Sequence, residues 1–383
     1  MIIPTIPELA TYFGVSSGVA AQIVTALAVG RFLGMPISGV VLDRLGTRAA
    51  LVGGPVAVCT AALLVAITPW FSVILLLVMV IGAGDGVWML GREVAGIDLT
   101  RQNQRGRVLS GFHGIHNIGL ALGPLIGGLL TEAVSFRAVF IVYAACAAVS
   151  VPLGFAAHNT RPPRVAQFNS ESVKGWGLAA LSRRLRGLVA LFKQIRPNLR
   201  ATYAVLVFAT VTSFIHRITL QSMLPLYAGS HLGFTPTEVG LLFSISGIFI
   251  FAMILPAGLI IDKVGRKWAT VPSTGIPALA FLFIPFSDTF LQLAVLVSLL
   301  GVANGLSLGS LATSTYDVVP PNARGRLQAA RRTVAEIGAV CAPLLGGILA
   351  NTFNPGVPFL AYAPLLVLSA VMLAVVGRET LER

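Results

Sequence analysis

The sequence predicts an all-α membrane protein made of two pseudo-symmetric six-helix bundles, in which the first helix is truncated so that about eleven helices cross fully. Composition is the first reason: 56% of the 383 residues are hydrophobic and 11% are charged, whereas a soluble domain has about a quarter charged. The polar surface is therefore too small for a soluble protein of this length. Eleven long apolar runs and an internal repeat are the other two reasons.

Each apolar run is long enough for a membrane helix, which takes about 20 residues. The runs cover residues 17–42, 49–68, 70–97, 108–131, 136–157, 200–228, 236–261, 268–286, 289–316, 327–350 and 357–377. Short polar loops separate them, which is typical of a bundle of antiparallel spans.

The loops between the runs alternate in charge. Basic residues collect in every second loop: Arg44, Arg48, Arg101, Arg105, Arg107, Lys263, Arg266, Lys267, Arg324 and Arg326. The other loops are poor in basic residues and carry Glu8, Glu132, Glu238 and Asp288. By the positive-inside rule, the basic loops are cytoplasmic. The net charge of +13 thus reflects orientation and does not indicate nucleic-acid binding.

A polar, basic segment at residues 158–199 divides the chain into an N-terminal bundle (1–157) and a C-terminal bundle (200–383). Leu and Arg alternate with a helical rhythm between Trp176 and Phe192. This pattern fits an amphipathic helix on the cytoplasmic membrane surface, and it fits a solvated connector equally well.

The two bundles are copies of each other at a constant offset of 219 residues. The matching pairs are Gly39 and Gly258, Asp43 and Asp262, Gly46 and Gly265, Gly82 and Gly301, Asp98 and Asp317, Arg105 and Arg324, Gly119 and Gly338, and Pro124 and Pro343. The copies have the same charge sidedness, so they are parallel and each should contain six helices. Two such bundles build alternating-access transporters, with the substrate site between them near mid-membrane.

The repeat also predicts that the first helix is incomplete. Met1 aligns with Leu220, which lies deep inside the run 200–228. The remaining stretch from Met1 to Phe13 is too short to cross a bilayer. We therefore expect about 20 residues upstream of Met1, or a sequence that is a fragment.

Two motifs resemble those of the major facilitator superfamily. GVVLDRLGTR (39–48), with its weaker copy GLIIDKVGRK (258–267), is similar to the loop between the second and third helices of that family. The resemblance implies a cytoplasmic gate formed by a tight glycine turn, in which an aspartate pairs with a basic residue and with a facing helix N-terminus. The implied gate residues are Gly39, Asp43, Arg44, Gly46, Arg48, Asp98, Asp262, Gly265 and Arg266. Thr47 departs from the family's basic residue, and a loop with solvated charges is the alternative.

The second motif, GLALGPLIGG (119–128), resembles the antiporter motif in the fifth helix of the superfamily. Its Pro124 removes a backbone hydrogen bond and kinks the helix. Its glycines give a smooth face for the other half: Gly119, Gly123, Gly127 and Gly128. The alternative is ordinary close helix packing. The resemblance implies the drug:proton antiporter branch, although Val78 replaces the arginine that the family has in the fourth helix.

Ionisable side chains inside membrane spans are candidate functional residues because they are costly to bury. Counting from span ends, we predict proton coupling at Asp85, His116 and Glu336. Static pairing of Asp85 with Arg31 is an equally weighted alternative. Candidates for the substrate cavity are His216, Arg217, Gln221, Asn304 and Arg31.

The resulting hypothesis is a monomeric, proton-driven exporter of small organic molecules in a bacterial cytoplasmic membrane. Import or exchange of an organic anion or of a sugar-like metabolite is the main alternative; Arg31 and Arg217 could bind the carboxylate or phosphate of an anion. A membrane receptor or enzyme is a weaker one, since no nucleotide-binding loop or nucleophile–base pair is found. Cys59, Cys146 and Cys341 lie in apolar runs without ligand spacing, so we predict neither a metal nor a cofactor, with the proton gradient as the energy source.

Overall fold

A computed structural model describes residues 1–98, 105–157, 192, 194–320 and 324–379. Within these ranges the protein is helical and contains no strand. The helices of the first half are α1 (Ile6–Phe13), α2 (Ser17–Ala20), α3 (Gln22–Leu45), α4 (Thr47–Ile67), α5 (Phe71–Asp98), α6 (Arg105–Ala133) and α7 (Phe136–Ala156). Those of the second half are α8 (Pro197–Pro225), α9 (Pro236–Leu259), α10 (Arg266–Phe283), α11 (Phe290–Val318), α12 (Arg324–Thr352) and α13 (Val357–Val375).

The spans follow the apolar runs. In the described part of the chain, ten helices are long and apolar enough to cross a membrane, and the described apolar part of α6, Ile118–Ala133, forms a shorter one. The predicted all-helical membrane fold with about eleven crossings is confirmed. The short α1 is followed by a turn at Gly14, where φ is +61°. The linker and its predicted amphipathic helix lie almost entirely outside the described residues, and α8 begins at Pro197.

The internal repeat is visible in the helix boundaries and in the packing. Helices α6 and α12, 219 residues apart in sequence, are both 29 residues long. Within the first half, α3 packs along α5 and α4 packs on α7; their counterparts α9 and α11, and α10 and α13, pack in the same way. The duplicated sequence thus folds into two similarly packed bundles.

The halves meet along two helix pairs, α6 with α9 and α3 with α12. Small residues allow the close approach. A Cβ atom on Gly240 of α9 would collide with the carbonyl oxygen of Pro124 in α6, and one on Gly18 would collide with the backbone of Gly347. The Gly18 N–H also donates to the Asn351 side chain at 2.7 Å. Without a hydrophobic drive between helices in lipid, such close packing and hydrogen bonding stabilise their association.

These contacts lie at the end of the molecule away from the basic loops. A single buried apolar cluster joins Ile6 and Val24 of the first half with Leu220, Tyr227 and Phe281 of the second. At the basic end the described clusters stay within one half: one belongs to α3, α4 and α5, and another to the second half alone. The described apolar cluster that joins the two halves therefore lies at the end opposite the basic loops.

Replacement of Gly240 by Ala should loosen the junction of the halves. The added methyl group has no room against the Pro124 backbone, and overpacking of this kind costs about 1–3 kcal/mol. We expect a lower melting temperature for the detergent-solubilised variant. The matched control is Gly53→Ala on α4, where a Cβ meets nothing within 4 Å; equal melting of the two variants would contradict this account of the interface.

Candidate functional site

A polar cluster in the second half joins α8 to α11 near the middle of both helices. The Asn304 Oδ1 atom lies 3.0 Å from His216 Nε2 and accepts from Arg217 Nε at 2.8 Å. A second Arg217 nitrogen, Nη2, donates to the Ser307 hydroxyl. The structure thus brings together three of the five residues predicted for the cavity.

This cluster determines the protonation pattern of His216. Arginine only donates, so the Asn304 atom it contacts is an acceptor, and His216 must present a proton on Nε2 to share that oxygen. His216 is fully buried beside Arg217. A neutral imidazole fits this setting, because a second proton would create another positive charge beside Arg217.

Arg217 and Asn304 line a cavity between the two halves. Its other polar lining residues are Gln221 and Ser246, and its apolar wall includes Leu120, Pro124, Leu220, Phe243 and Ile250. Pro124 belongs to the predicted antiporter motif, which therefore supplies part of the wall from the first half. His216 lies behind Asn304 and is not among the lining residues.

The glycines of that motif serve different contacts. Gly123 and Gly127 face Met1, and Gly128 packs tightly against Pro236 of the other half. Around Gly119 there is open space within 4 Å of a built Cβ atom. Close packing therefore explains three of the four glycines, and Leu120 and Pro124 are the residues of the motif that line the cavity.

Arg31 and Asp85 form an ion pair in the first half. The Arg31 Nη2 and Nε atoms lie 2.8 and 3.0 Å from Asp85 Oδ2. Asp85 also lines a second pocket, between α4, α5 and α7, together with Trp88 and Tyr143. Neither Arg31 nor Asp85 lines the cavity between the halves, so Arg31 stands apart from the other residues predicted for the cavity.

Glu336 lies on α12, the helix of the second half that packs against α3. Its carboxylate is largely buried, with 15% of the side chain exposed, and lies 3.7 Å from Arg332 one turn earlier. The positive charge of Arg31, on α3, also acts on this carboxylate. The side chain of His116, the third residue predicted for proton coupling, lies outside the described residues.

The second copy of the predicted gate forms an ion network. Arg266, the first residue of α10, lies 3.1 Å from Asp262 and 3.0 Å from Asp317, the repeat partner of Asp98. Gly265 turns the chain just before it, with φ of +148°. The Glu379 carboxylate accepts from the backbone N–H groups of Arg266 and Lys267 at 2.9 and 3.1 Å, which complements the positive end of the helix.

The first copy differs because Thr47 stands where Arg266 stands in the second. Thr47 is buried at the start of α4 and follows Gly46, whose φ is +87°. Arg48 donates to the Phe155 carbonyl and lies over its ring at 5.7 Å, while Arg44 is exposed. The side chains of Asp43 and Asp98 lie outside the described residues. A Cβ atom built on Gly39 or on Gly258 would meet no atom of the described residues within 4 Å.

A family model described as Major Facilitator Superfamily matches residues 1–227 and 206–382 of the chain. The chain belongs to the major facilitator superfamily. It is therefore a membrane transporter rather than an enzyme, and its family resemblance is confirmed.

Relatives within the superfamily are distant. An uncharacterized MFS-type transporter, YcnB of Bacillus subtilis, is 22% identical over 92% of this chain and 82% of its own length. Multidrug resistance protein MdtG of Proteus mirabilis is 25% identical over 62% of this chain and 55% of its own length. Quinolone resistance protein NorA of Staphylococcus aureus is 27% identical over 37% of this chain and 36% of its own length.

Solved structures of other transporters share the superfamily fold. A mutant of the peptide transporter POT superposes with a TM-score of 0.80 at 14% identity, covering 98% of this chain and 92% of that one. A D-xylose–proton symporter gives 0.75 at 15% identity, covering 99% and 94%. At these identities the likeness establishes the fold alone.

Replacement of Arg266 by Gln should destabilise the second half of this superfamily member. The pair with Asp317 is the stronger one, because the side chains of Arg266 and Asp317 are 14% and 29% exposed, whereas that of Asp262 is 76% exposed. Loss of a partly buried charged hydrogen bond costs about 1.5–3 kcal/mol. We expect a lower melting temperature than for Lys263→Gln, an exposed neighbour; indistinguishable values would mean that the network contributes no stability.

Proposed function

We propose that this protein is a proton-coupled antiporter that exports small organic molecules by alternating access. The observation that carries the proposal is the cavity between the two halves, closed at the end away from the basic loops and walled on one side by Pro124. A cavity in that position receives its substrate from the side of the basic loops, which the positive-inside rule makes cytoplasmic. The printed names of MdtG and NorA, which refer to drug resistance, agree with export.

The coupling proton binds at Asp85, with Glu336 as a second site. Asp85 is a carboxylate inside a span whose ion pair with Arg31 holds α5 to α3. A proton on Asp85 removes the negative charge and leaves Arg31 without its partner. Helix α3 packs against α12 of the other half. Once Asp85 is neutral, the Glu336 carboxylate on α12 is the acidic group that interacts electrostatically with Arg31. Protonation would thus change a contact at the junction of the halves.

His116 remains a candidate relay between Asp85 and the cavity, and its position on α6 rests on the sequence alone. Arg217, Gln221 and Asn304 supply the polar contacts for substrate. One chain carries both halves of the cavity, so we propose that a monomer in a bacterial cytoplasmic membrane is the working unit.

Replacement of Asp85 by Asn should abolish transport driven by a proton gradient while leaving substrate exchange intact. Asn keeps the shape of the side chain but neither carries the charge nor takes up the proton. The measurement is substrate accumulation in inside-out membrane vesicles, with and without an imposed gradient, using a panel of drugs and metabolites. Asp288→Asn, an exposed acid at the closed end, is the control and should accumulate substrate normally.

The same vesicles distinguish the alternatives. Gradient-driven accumulation that survives Asp85→Asn would exclude Asp85 as the proton site. Exchange without any dependence on the gradient would favour an anion exchanger or uniporter over an antiporter. A static role for the ion pair is tested with Arg31→Gln/Asp85→Asn: if the pair only holds the bundle together, the double variant should regain both the stability and the transport lost in Asp85→Asn.

A further inference from the structure

The two halves differ in charge at one pair of equivalent positions. Asp85 on α5 and Asn304 on α11 are related by the repeat offset, and each contacts an arginine on a neighbouring helix. In the first half Arg31 meets a carboxylate. In the second half Arg217 meets an amide oxygen and a hydroxyl group. Arg31 is therefore neutralised by its own half, whereas Arg217 contacts no acidic side chain among the described residues.

Arg217 forms no salt bridge in the described part of the chain. Its Nε and Nη2 atoms are engaged by Asn304 and Ser307, whereas Nη1 makes no hydrogen bond to any described residue. The side chain lines the cavity between the halves. An uncompensated charge inside a membrane span is expensive, and a buried charge is tolerated when a partner pairs with it.

The residues around Arg217 define the charge and polarity that a partner must have. Around the guanidinium, Gln221 and Ser246 offer further polar atoms, while Leu220, Phe243 and Ile250 form an apolar wall. His216 fits its site as a neutral imidazole and adds no charge. The cavity thus presents one positive charge at one side of an apolar space.

We propose that this cavity binds an amphiphilic monoanion, a carboxylate whose hydrophobic body lies against the apolar wall and whose charged group pairs with Arg217. The planar guanidinium suits a carboxylate, since both groups are flat and their hydrogen bonds can run in parallel. A single uncompensated charge matches a singly charged head group better than a doubly charged one. This inference rests on the proposed function, because it names the substrate class of the same cavity.

The test uses pairs of compounds that differ only in charge. The probes are 2-naphthoate, 4-phenylbutyrate and decanoate, each compared with its primary amide and with the corresponding primary amine. Binding is measured as the ligand-induced rise in melting temperature of the purified protein in detergent, titrated to give a dissociation constant. We expect at least one acid to bind, with its amide and its amine binding about tenfold or more weakly, as expected for a charged hydrogen bond.

Two variants assign the effect to Arg217. Arg217→Gln should weaken binding of the acid by about tenfold to a hundredfold. Asn304→Asp keeps Arg217 but places a carboxylate beside it, in the position that Asp85 has beside Arg31 in the first half. This variant should bind the acid more weakly than wild type, to a degree similar to Arg217→Gln. Because this change adds an internal ion pair, it provides a test even where Arg217→Gln does not fold. The control is Arg378→Gln, an exposed arginine at the basic end, which should bind the acid as wild type does.

Three results would overturn the proposal: no acid of the set binds, the amide or the amine binds as tightly as the acid, or Asn304→Asp binds the acid unchanged. The measurement needs no gradient and no transport, so it is independent of the antiport experiment. Acid binding without gradient-driven flux would remove the antiport proposal and leave the anion site. Gradient-driven flux of cations or neutral compounds without acid binding would remove the anion site and leave the antiport proposal.

Discussion

Close backbone contact between the two halves is the constraint on which the rest of the structure depends. In lipid, apolar side chains gain little by leaving one apolar environment for another, so helices associate through packing and polar contacts. Here the packing comes from Gly18 against Gly347 and from Gly240 against Pro124. The cavity that contains Arg217 lies between the halves, and Pro124, one of these contact residues, forms part of its wall.

The second feature that distinguishes the two halves is the pairing of charged side chains inside the membrane spans. Each half has an arginine and a repeat-related polar residue on the facing helix, but the first half uses Asp85 and the second uses Asn304. The first arrangement is an ion pair within the protein. In the second, Arg217 contacts only neutral groups among the described residues. Under the proposed function, the first site binds the coupling proton and the second binds the ligand.

Sequence alone was sufficient for the fold because long apolar runs and a gapless repeat report directly on spans and on two equivalent bundles. It was also sufficient to place Arg217 and Asn304 together, since both lie at mid-span on helices expected to line a cavity. It did not separate Arg31 from that cavity, because the rotation of α3 about its axis follows from packing with α5. Glu379 was missed altogether: it follows the last helix, outside the stretch where the repeat is evident, and its role depends on the fold bringing it to the start of α10.

The two gate copies differ in sequence, because Thr47 stands in the first where Arg266 stands in the second. In the second half Arg266 links Asp262 to Asp317, and Glu379 caps the same turn, so α9, α10, α11 and the end of the chain are tied together within one bundle. The first half has Thr47 at the equivalent position, and its Arg48 donates to the carbonyl oxygen of Phe155 in α7. Ion pairs within a bundle stabilise that bundle and do not link it to the other one. The second half therefore has an ion network at its basic end in addition to the polar cluster of Arg217 and Asn304, while the first half has the ion pair of Arg31 and Asp85.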